Sequence, residues 1–169
     1  MGSSSAGYTT AGFAADPAFT TATLYDSPTY TWSAGDLMNL FNSGNYGIYN
    51  HLGHANTSYV MKLSNSNVDT LTNNNFFFVY SQGCYPGDFP NDAIAEHFTT
   101  STRYGAAAVV FNSRYGWGAG NSTDGPSQRP DREFWDALFG EDLNRLGVMN
   151  ADSHEDILWG ISSASSNLN

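Results

Sequence analysis

Cysteine, charge and long apolar runs are all scarce in this sequence. One of its 169 residues is cysteine, Cys84, so no intramolecular disulfide can form, and the cysteine count argues neither for nor against secretion. Charged residues make up 13% of the chain, well below the usual share of about 25%. Only 6 of them are basic against 16 acidic, which gives a net charge of −10. No basic patch is available to pair with phosphates, so nucleic acid and anionic membranes are poor partners. No apolar run approaches the length of about 18 residues that a membrane-spanning helix needs.

These shortages shape the remaining expectations. Asn, Ser, Thr and Gly must cover the surface that charge leaves open, a composition common in secreted bacterial proteins. A secreted or cell-surface bacterial protein is therefore expected, although residues 1–5 lack the basic and apolar regions of an export signal and read partly as a tag remnant. The length fits one domain able to bury about 70% of its unfolded surface. No internal repeat is visible.

The residues that are present organise around 75–89. Five large β-formers, Phe76, Phe77, Phe78, Val79 and Tyr80, predict a strand buried on both faces, because a half-exposed strand would alternate polar and apolar positions. Gly83, Pro86 and Gly87 then stop the ladder and place Cys84 at the strand's carboxyl end. A shorter run, 46–49, empties into a loop carrying His51, Gly53 and His54. Open α/β sheets bind ligands beyond the carboxyl ends of their strands. Two adjacent parallel strands ending this way would bring an imidazole and a thiol to one rim, the parts of a cysteine nucleophile and its acid/base partner.

In chain order, residues 1–33 read as a loop-rich lead-in with a short strand at 8–13. Leu37, Leu40 and Phe41 share one face of a helix predicted over 34–41, which Asn42, Ser43 and Gly44 end. A crossover over 57–75 contains a short helix at 66–71 opened by a Ser or Asn cap, as parallel strands require a long connection. Asn91 and Asp92 cap a helix at 92–100, and 104–112 is a third buried strand. Residues 113–128 form a long loop with Gly116, Gly118, Gly120 and Gly125. Pro130 begins a helix over 130–146, with Phe134, Trp135, Leu138 and Phe139 on its apolar face. A last helix runs over 153–161, and 162–169 is a polar tail. Strands alternating with helices are the α/β signature.

Particular residues carry a resemblance. Gly53-His54-Ala55 and Gln82-Gly83-Cys84-Tyr85-Pro86-Gly87-Asp88-Phe89 are similar to the His and Cys blocks of the gingipain-type cysteine peptidases. The similarity continues through residues 93–98, 106–110, Asn112 to Gly118 and 131–140, in the same order, and covers most of 36–147. The resemblance implies a caspase-like, three-layer α/β/α domain over 34–161 with a mostly parallel central sheet. It also implies a chain that is truncated, lacking strands before the His block and one after its end. The implied activity is that of a cysteine endopeptidase acting on protein or peptide substrates. Cys84 would be the nucleophile, His54 the acid/base, and the N–H groups of Cys84 and Ala55 the oxyanion hole. Related peptidases carry glycine where Ala55 stands, so the hole requires that residue 55 need no positive φ. Trp117 and Tyr115 lie where such enzymes wall the specificity pocket. Either they bind substrate or they pack a long loop.

Other readings stand beside these. A thiolate at Cys84 could draw on backbone N–H groups of its turn, on the amino end of the helix after Asn91, or on an imidazolium. His51 competes with His54 and is read as a strand-end structural residue. The two histidines lack a third ligand for a metal site. Asp88 could select a basic substrate side chain, but its place in the Cys84 turn suggests hydrogen bonding to backbone N–H groups. Asp131, Glu133, Asp136, Glu141 and Asp142 read as a solvated helix face and end; calcium is possible there and is not assigned, and no other cofactor is expected. His97 and His154 carry no functional signal. Oligomeric state is not legible. The rival functions are an inactive peptidase-like binding module and a hydrolase or acyltransferase using the same dyad.

Overall fold

The computed structural model describes residues 13, 16–101, 103–119 and 124–158. The expected strand at 8–13, apart from Phe13, the end of the last helix and the tail 162–169 lie outside them. The chain divides into two compact units. One is Leu24–Gly116; the other gathers the described residues of Met1–Thr23 and Trp117–Asn169.

Helix α1 (Ala34–Ser43) is the first helix of the Leu24–Gly116 unit. Ser33 accepts from the Asp36 N–H while the Asp36 carboxylate accepts from the Ser33 N–H, so two orphan donors are satisfied reciprocally. Gly44 takes φ 66° at the other end, the left-handed cap that glycine adopts without strain. Strand β1 (Ile48–His51) begins two residues later than the apolar run suggested. His51 is consequently part of the strand, and the loop proper starts at Leu52.

The connection that follows holds an unpredicted antiparallel meander of three short strands, β2 (Ala55–Asn56), β3 (Tyr59–Val60) and β4 (Leu63–Ser64). Its second turn puts Met61 and Lys62 at φ 53° and 61°, where Asn-Gly would be usual. Burial of Met61 and a dense anchorage of Lys62 offset the strain. The ammonium reaches Asp26 at 2.8 Å, Thr31 at 3.0 Å and the Trp32 carbonyl at 2.7 Å, and sits 4.3 Å from the Trp32 ring centroid. Two-residue strands carry no readable alternation, so nothing in the residue pattern marks them.

Helix α2 (Asn65–Val68) is shorter than expected and capped by Ser64. Strand β5 (Phe77–Ser81) is buried throughout, shifted one residue from the expectation because Phe76 is 63% exposed and Ser81 pairs with His51. The helix expected at 92–100 is a short α segment, α3 (Ile94–Glu96), running into a π-helical turn, His97–Ser101. Thr99 and Thr100 hydroxyls donate to the Ala95 and Glu96 carbonyls, competing with the backbone ladder there. No side chain caps it, so the expected cap at Asn91 and Asp92 is absent. Strand β6 (Ala106–Phe111) completes a fully parallel sheet in the order β1-β5-β6. Phe41 stacks on Phe77 at 4.4 Å between centroids, and both belong to a core with Leu37, Leu63, Val79 and Phe98.

In the second unit, helix α4 (Gln128–Phe139) starts two residues before Pro130 and stops well short of 146. The Gly140 and Glu141 N–H groups both return to the Asp136 carbonyl, Leu143 donates to Ala137, and Asp142 turns through φ 59°. Residues 140–145 are thus not helical, and helix α5 (Leu146–Asp156) begins seven residues before the last helix was expected to start. His154 sits in its final turn and donates to the Asn150 carbonyl instead of opening a helix. Phe13 packs edge-on against Trp135 and Phe139 at 4.6 and 5.0 Å, so this residue of the lead-in belongs to the core of the unit. Asp131 is not on a solvated face: it is fully buried and accepts from the Trp135 indole N–H at 3.2 Å. No described helix is long and apolar enough to cross a membrane.

Candidate active site

The sheet delivers its two loops from neighbouring strands. In register, His51 of β1 lies opposite Ser81 of β5, and the Gln82 N–H extends the ladder by donating to the His51 carbonyl at 3.1 Å. The His51 Nδ1 and Ser81 Oγ are 2.8 Å apart, and Ser81 Oγ also accepts from the Gly83 N–H at 3.1 Å. Burial, reinforced by nearby His54, lowers the His51 pKa to about 4, so its ring is neutral at physiological pH. Its Nε2 lies only 2.6 Å from where a Cβ on Gly53 would stand, which requires glycine there.

Beyond the strands the two loops touch through backbone. A Cβ on Gly83 would collide with Ala55 Cβ and stand 3.2 Å from the Ala55 nitrogen and 3.3 Å from the Gly53 carbonyl oxygen. Residues 53–55 therefore pack directly on the residue before Cys84, with His54 exposed between them. Asn56 and Tyr59 close a two-residue turn and form the pair that exchanges both backbone bonds. The next pair, Ala55 and Val60, must then turn its N–H groups away from each other. Ala55 also has no positive φ, so it occupies this place without the strain that glycine would relieve.

The Cys84 turn is held from the other side by the loop after β6. Asn112 donates its side-chain amide to the Gln82 and Gly83 carbonyls, at 3.0 Å each. The Tyr85 and Gly87 N–H groups donate to the Arg114 and Asn112 carbonyls at 2.7 and 3.0 Å. Cys84 Sγ, half-buried, donates to the Gly116 carbonyl at 3.5 Å and accepts from the Gly116 N–H at 3.4 Å. Gly116 has no room for a Cβ, which would run into the Gln82 carbonyl. Tyr85, directly after the thiol, adopts φ 64°, a strained conformation of the kind found at functional sites. Its ring meets Tyr115 edge-on at 4.8 Å, and the hydrogen bond with Tyr115 raises the Tyr85 hydroxyl above its ordinary pKa.

Two expectations about thiolate stabilisation change. The N–H groups of Gly83, Tyr85 and Gly87 are engaged by Ser81, Arg114 and Asn112. The amino end of α3 is spent as well: Ile94 donates to Thr57 and Ala95 to Pro86. Among the described residues, Gly116 supplies the N–H that reaches the sulfur, and none accepts from the Cys84 N–H. Asp88 also differs from expectation, because its carboxylate accepts from the Asn91 amide at 2.8 Å and the Thr57 hydroxyl at 3.4 Å, both side chains. Trp117 belongs to the other unit, where its N–H and carbonyl bond the Ser127 hydroxyl and N–H, and the residue is 53% exposed. Tyr115 stands beside the thiol turn as described. The sequence reading missed Ser81, Asn112, Tyr85 and Gly116; a lone polar residue closing an apolar strand was the available signal for Ser81.

The family model for Peptidase family C25 matches residues 3–168. The chain belongs to peptidase family C25. This is a family of cysteine peptidases, and the fold agrees with it. The C25 chain is similar to the crystal structure of gingipain R (RgpB), described as an Arg-specific cysteine proteinase, with a TM-score of 0.63 and 21% identity over 77% of this chain. It is likewise similar to a complex of the Porphyromonas gingivalis RgpB pro- and mature domains, with a TM-score of 0.53 and 21% identity over 68% of this chain. It spans 31% and 27% of those two chains. No curated protein matches it. The parallel sheet with its helices is thus the caspase-like α/β fold that gingipain R exemplifies.

For metals, the described residues gather Glu141, Asp152 and Asp156, with one carboxylate oxygen from each lying within 4.8 Å of the others. Only Glu141 of the acidic residues suspected from sequence is in this trio.

Proposed function

We propose that the C25 chain is a cysteine endopeptidase domain in which Cys84 forms an acyl-enzyme and His54 moves the protons. The observation that carries this reading is the backbone contact of Gly83 with residues 53–55, which sets the Cys84 and Ala55 N–H groups on neighbouring, glycine-lined chains. Cys84 Sγ attacks the scissile carbonyl carbon, and the oxygen that becomes negative is received by those two donors. The thiol proton passes to His54 and from it to the leaving amine; water then cleaves the thioester. Protein or peptide substrates follow from the family, and the exposed Tyr115 edge offers an aromatic wall for a substrate side chain.

The test compares iodoacetamide labelling of Cys84 between pH 5 and 9, read by intact mass, with hydrolysis of a casein digest, in the wild-type chain and in Cys84→Ala and His54→Ala. Labelling of the folded protein together with Cys84-dependent cleavage supports the reading. Labelling confined to unfolded protein would replace it with a peptidase-like module that binds without turnover.

A further inference from the structure

We propose that Asn112, together with the part-buried Ser81–His51 pair, is the frame that positions the Cys84 N–H as the anion-accepting donor of the site; this rests on Cys84 being the nucleophile. The Gly83 carbonyl and the Cys84 N–H belong to one planar trans peptide, so fixing the first fixes the direction of the second. Asn112 Nδ2 holds that carbonyl at 3.0 Å and the preceding Gln82 carbonyl at the same distance. A second constraint comes from the opposite end of Gly83, whose N–H is bonded to Ser81 Oγ. Ser81 is in turn tied to His51, and His51 Nε2 lies against Gly53, which leads into His54 and Ala55. One chain of contacts therefore sets the aim of the Cys84 donor and its spacing from the Ala55 loop. The neutral ring of His51 suits this task, since its Nδ1 can accept a hydrogen bond from the Ser81 hydroxyl while Ser81 Oγ accepts one from the Gly83 N–H.

Asn112, Ser81 and His51 are positioning residues, and two reactions of Cys84 separate that role from a merely structural one. Acylation by p-nitrophenyl acetate forms a thioester, releases p-nitrophenolate and passes through an oxyanion. Alkylation by iodoacetamide forms a C–S bond, releases iodide and passes through none. In the full chain, Asn112→Ala is expected to slow the p-nitrophenolate burst by about 10–100-fold, while alkylation of the folded protein changes less than about threefold. Ser81→Ala carries the same expectation and serves if Asn112→Ala does not fold, and His51→Asn, which keeps a polar group near the Nδ1 position, is expected to retain most of the burst. Parallel loss of both reactions, an unchanged burst in a folded variant, or a wild-type chain that is alkylated and not acylated would overturn the frame. A chain that is acylated by the ester and cleaves no peptide would overturn the peptidase reading and leave the frame standing; a folded chain that undergoes neither reaction would overturn both.

Discussion

The two units solve their polar groups in opposite ways. In Leu24–Gly116 unlike partners meet: Lys62 with Asp26, His97 between Asp69 and Asp92 at 2.6 and 3.0 Å, and the amides of Asn73 and Asn112 on backbone carbonyls. In the unit containing α4 and α5, Arg132 and Arg129 hold Asp124, but Glu141, Asp152 and Asp156 crowd each other. Asp152 raises the pKa of Glu141; burial, then the neighbouring acids, raises those of Glu133 and Asp156. The first arrangement holds a turn in one geometry, as the thiol loop requires. The second stores like-charge repulsion that depends on pH and salt.

The sharpest break of this comparison is at Gly83. Gly83→Val puts a branched side chain into Ala55 and the Gly53 carbonyl, and a displacement of even about 1 Å at reacting groups costs on the order of 100-fold in rate. The expected outcome is loss of at least that factor in the p-nitrophenyl acetate burst, with the α4–α5 unit unaffected in hydrogen exchange read by mass spectrometry. Next in size is the sheet core. Phe77→Ala removes a fully buried ring stacked on Phe41 and should cost about 3–5 kcal/mol in urea unfolding of the sheet unit.

His97 gives a smaller effect with a defined pH sense. Burial opposes its charge, but the bonds to Asp69 and Asp92 outweigh burial and raise its pKa above 6.5. The folded state therefore binds this proton more tightly, and the stabilisation is full below the unfolded value and lost as pH rises through the raised one. His97→Gln should cost about 1–2 kcal/mol at pH 6 and progressively less toward pH 8.5. Urea midpoints that differ from wild type equally at both pH values would show that the charge is irrelevant.

The smallest effect should have the opposite sign. Glu141 carries a raised pKa from like charge, so its repulsion is absent at low pH and grows as pH rises through the raised value. Glu141→Gln is expected to stabilise the α4–α5 unit by about 0.5 kcal/mol or less at pH 7, with the gain shrinking at pH 4 and in 1 M salt. Hydrogen exchange of α5 peptides would register it; slower exchange at pH 4 as large as at pH 7 would locate the effect in packing instead.

Much of the sheet was legible because its strands are long and monotonous. Phe77, Phe78, Val79 and Tyr80 admit few conformations other than a strand buried on both faces, and the glycines and proline after them mark its end. Helix α1 was legible from its period and from Gly44 at its end. The meander around Tyr59 and Leu63 was not, because strands of two residues have no period and its turn uses Met61 and Lys62, which do not announce positive φ. The α4–α5 break was missed for a related reason: no proline follows Gly140 to mark an end, and the stop depends on N–H groups returning to Asp136. At the candidate site the chemically distinctive side chains, Cys84 and His54, stood out, while the polar groups that hold their loops did not.

The sequence by itself determined the α/β pattern, the family blocks and the residues with chemistry to offer, since these depend on side-chain identity and local spacing. The tertiary structure decided which atoms meet. Only the parallel pairing of β1 with β5 puts Ser81 opposite His51, and only the return of the chain after β6 brings Asn112 to the Gly83 carbonyl, 29 residues away in sequence. Such contacts are fixed by the directional demand of buried polar groups for partners, a demand that local sequence states and distant sequence satisfies.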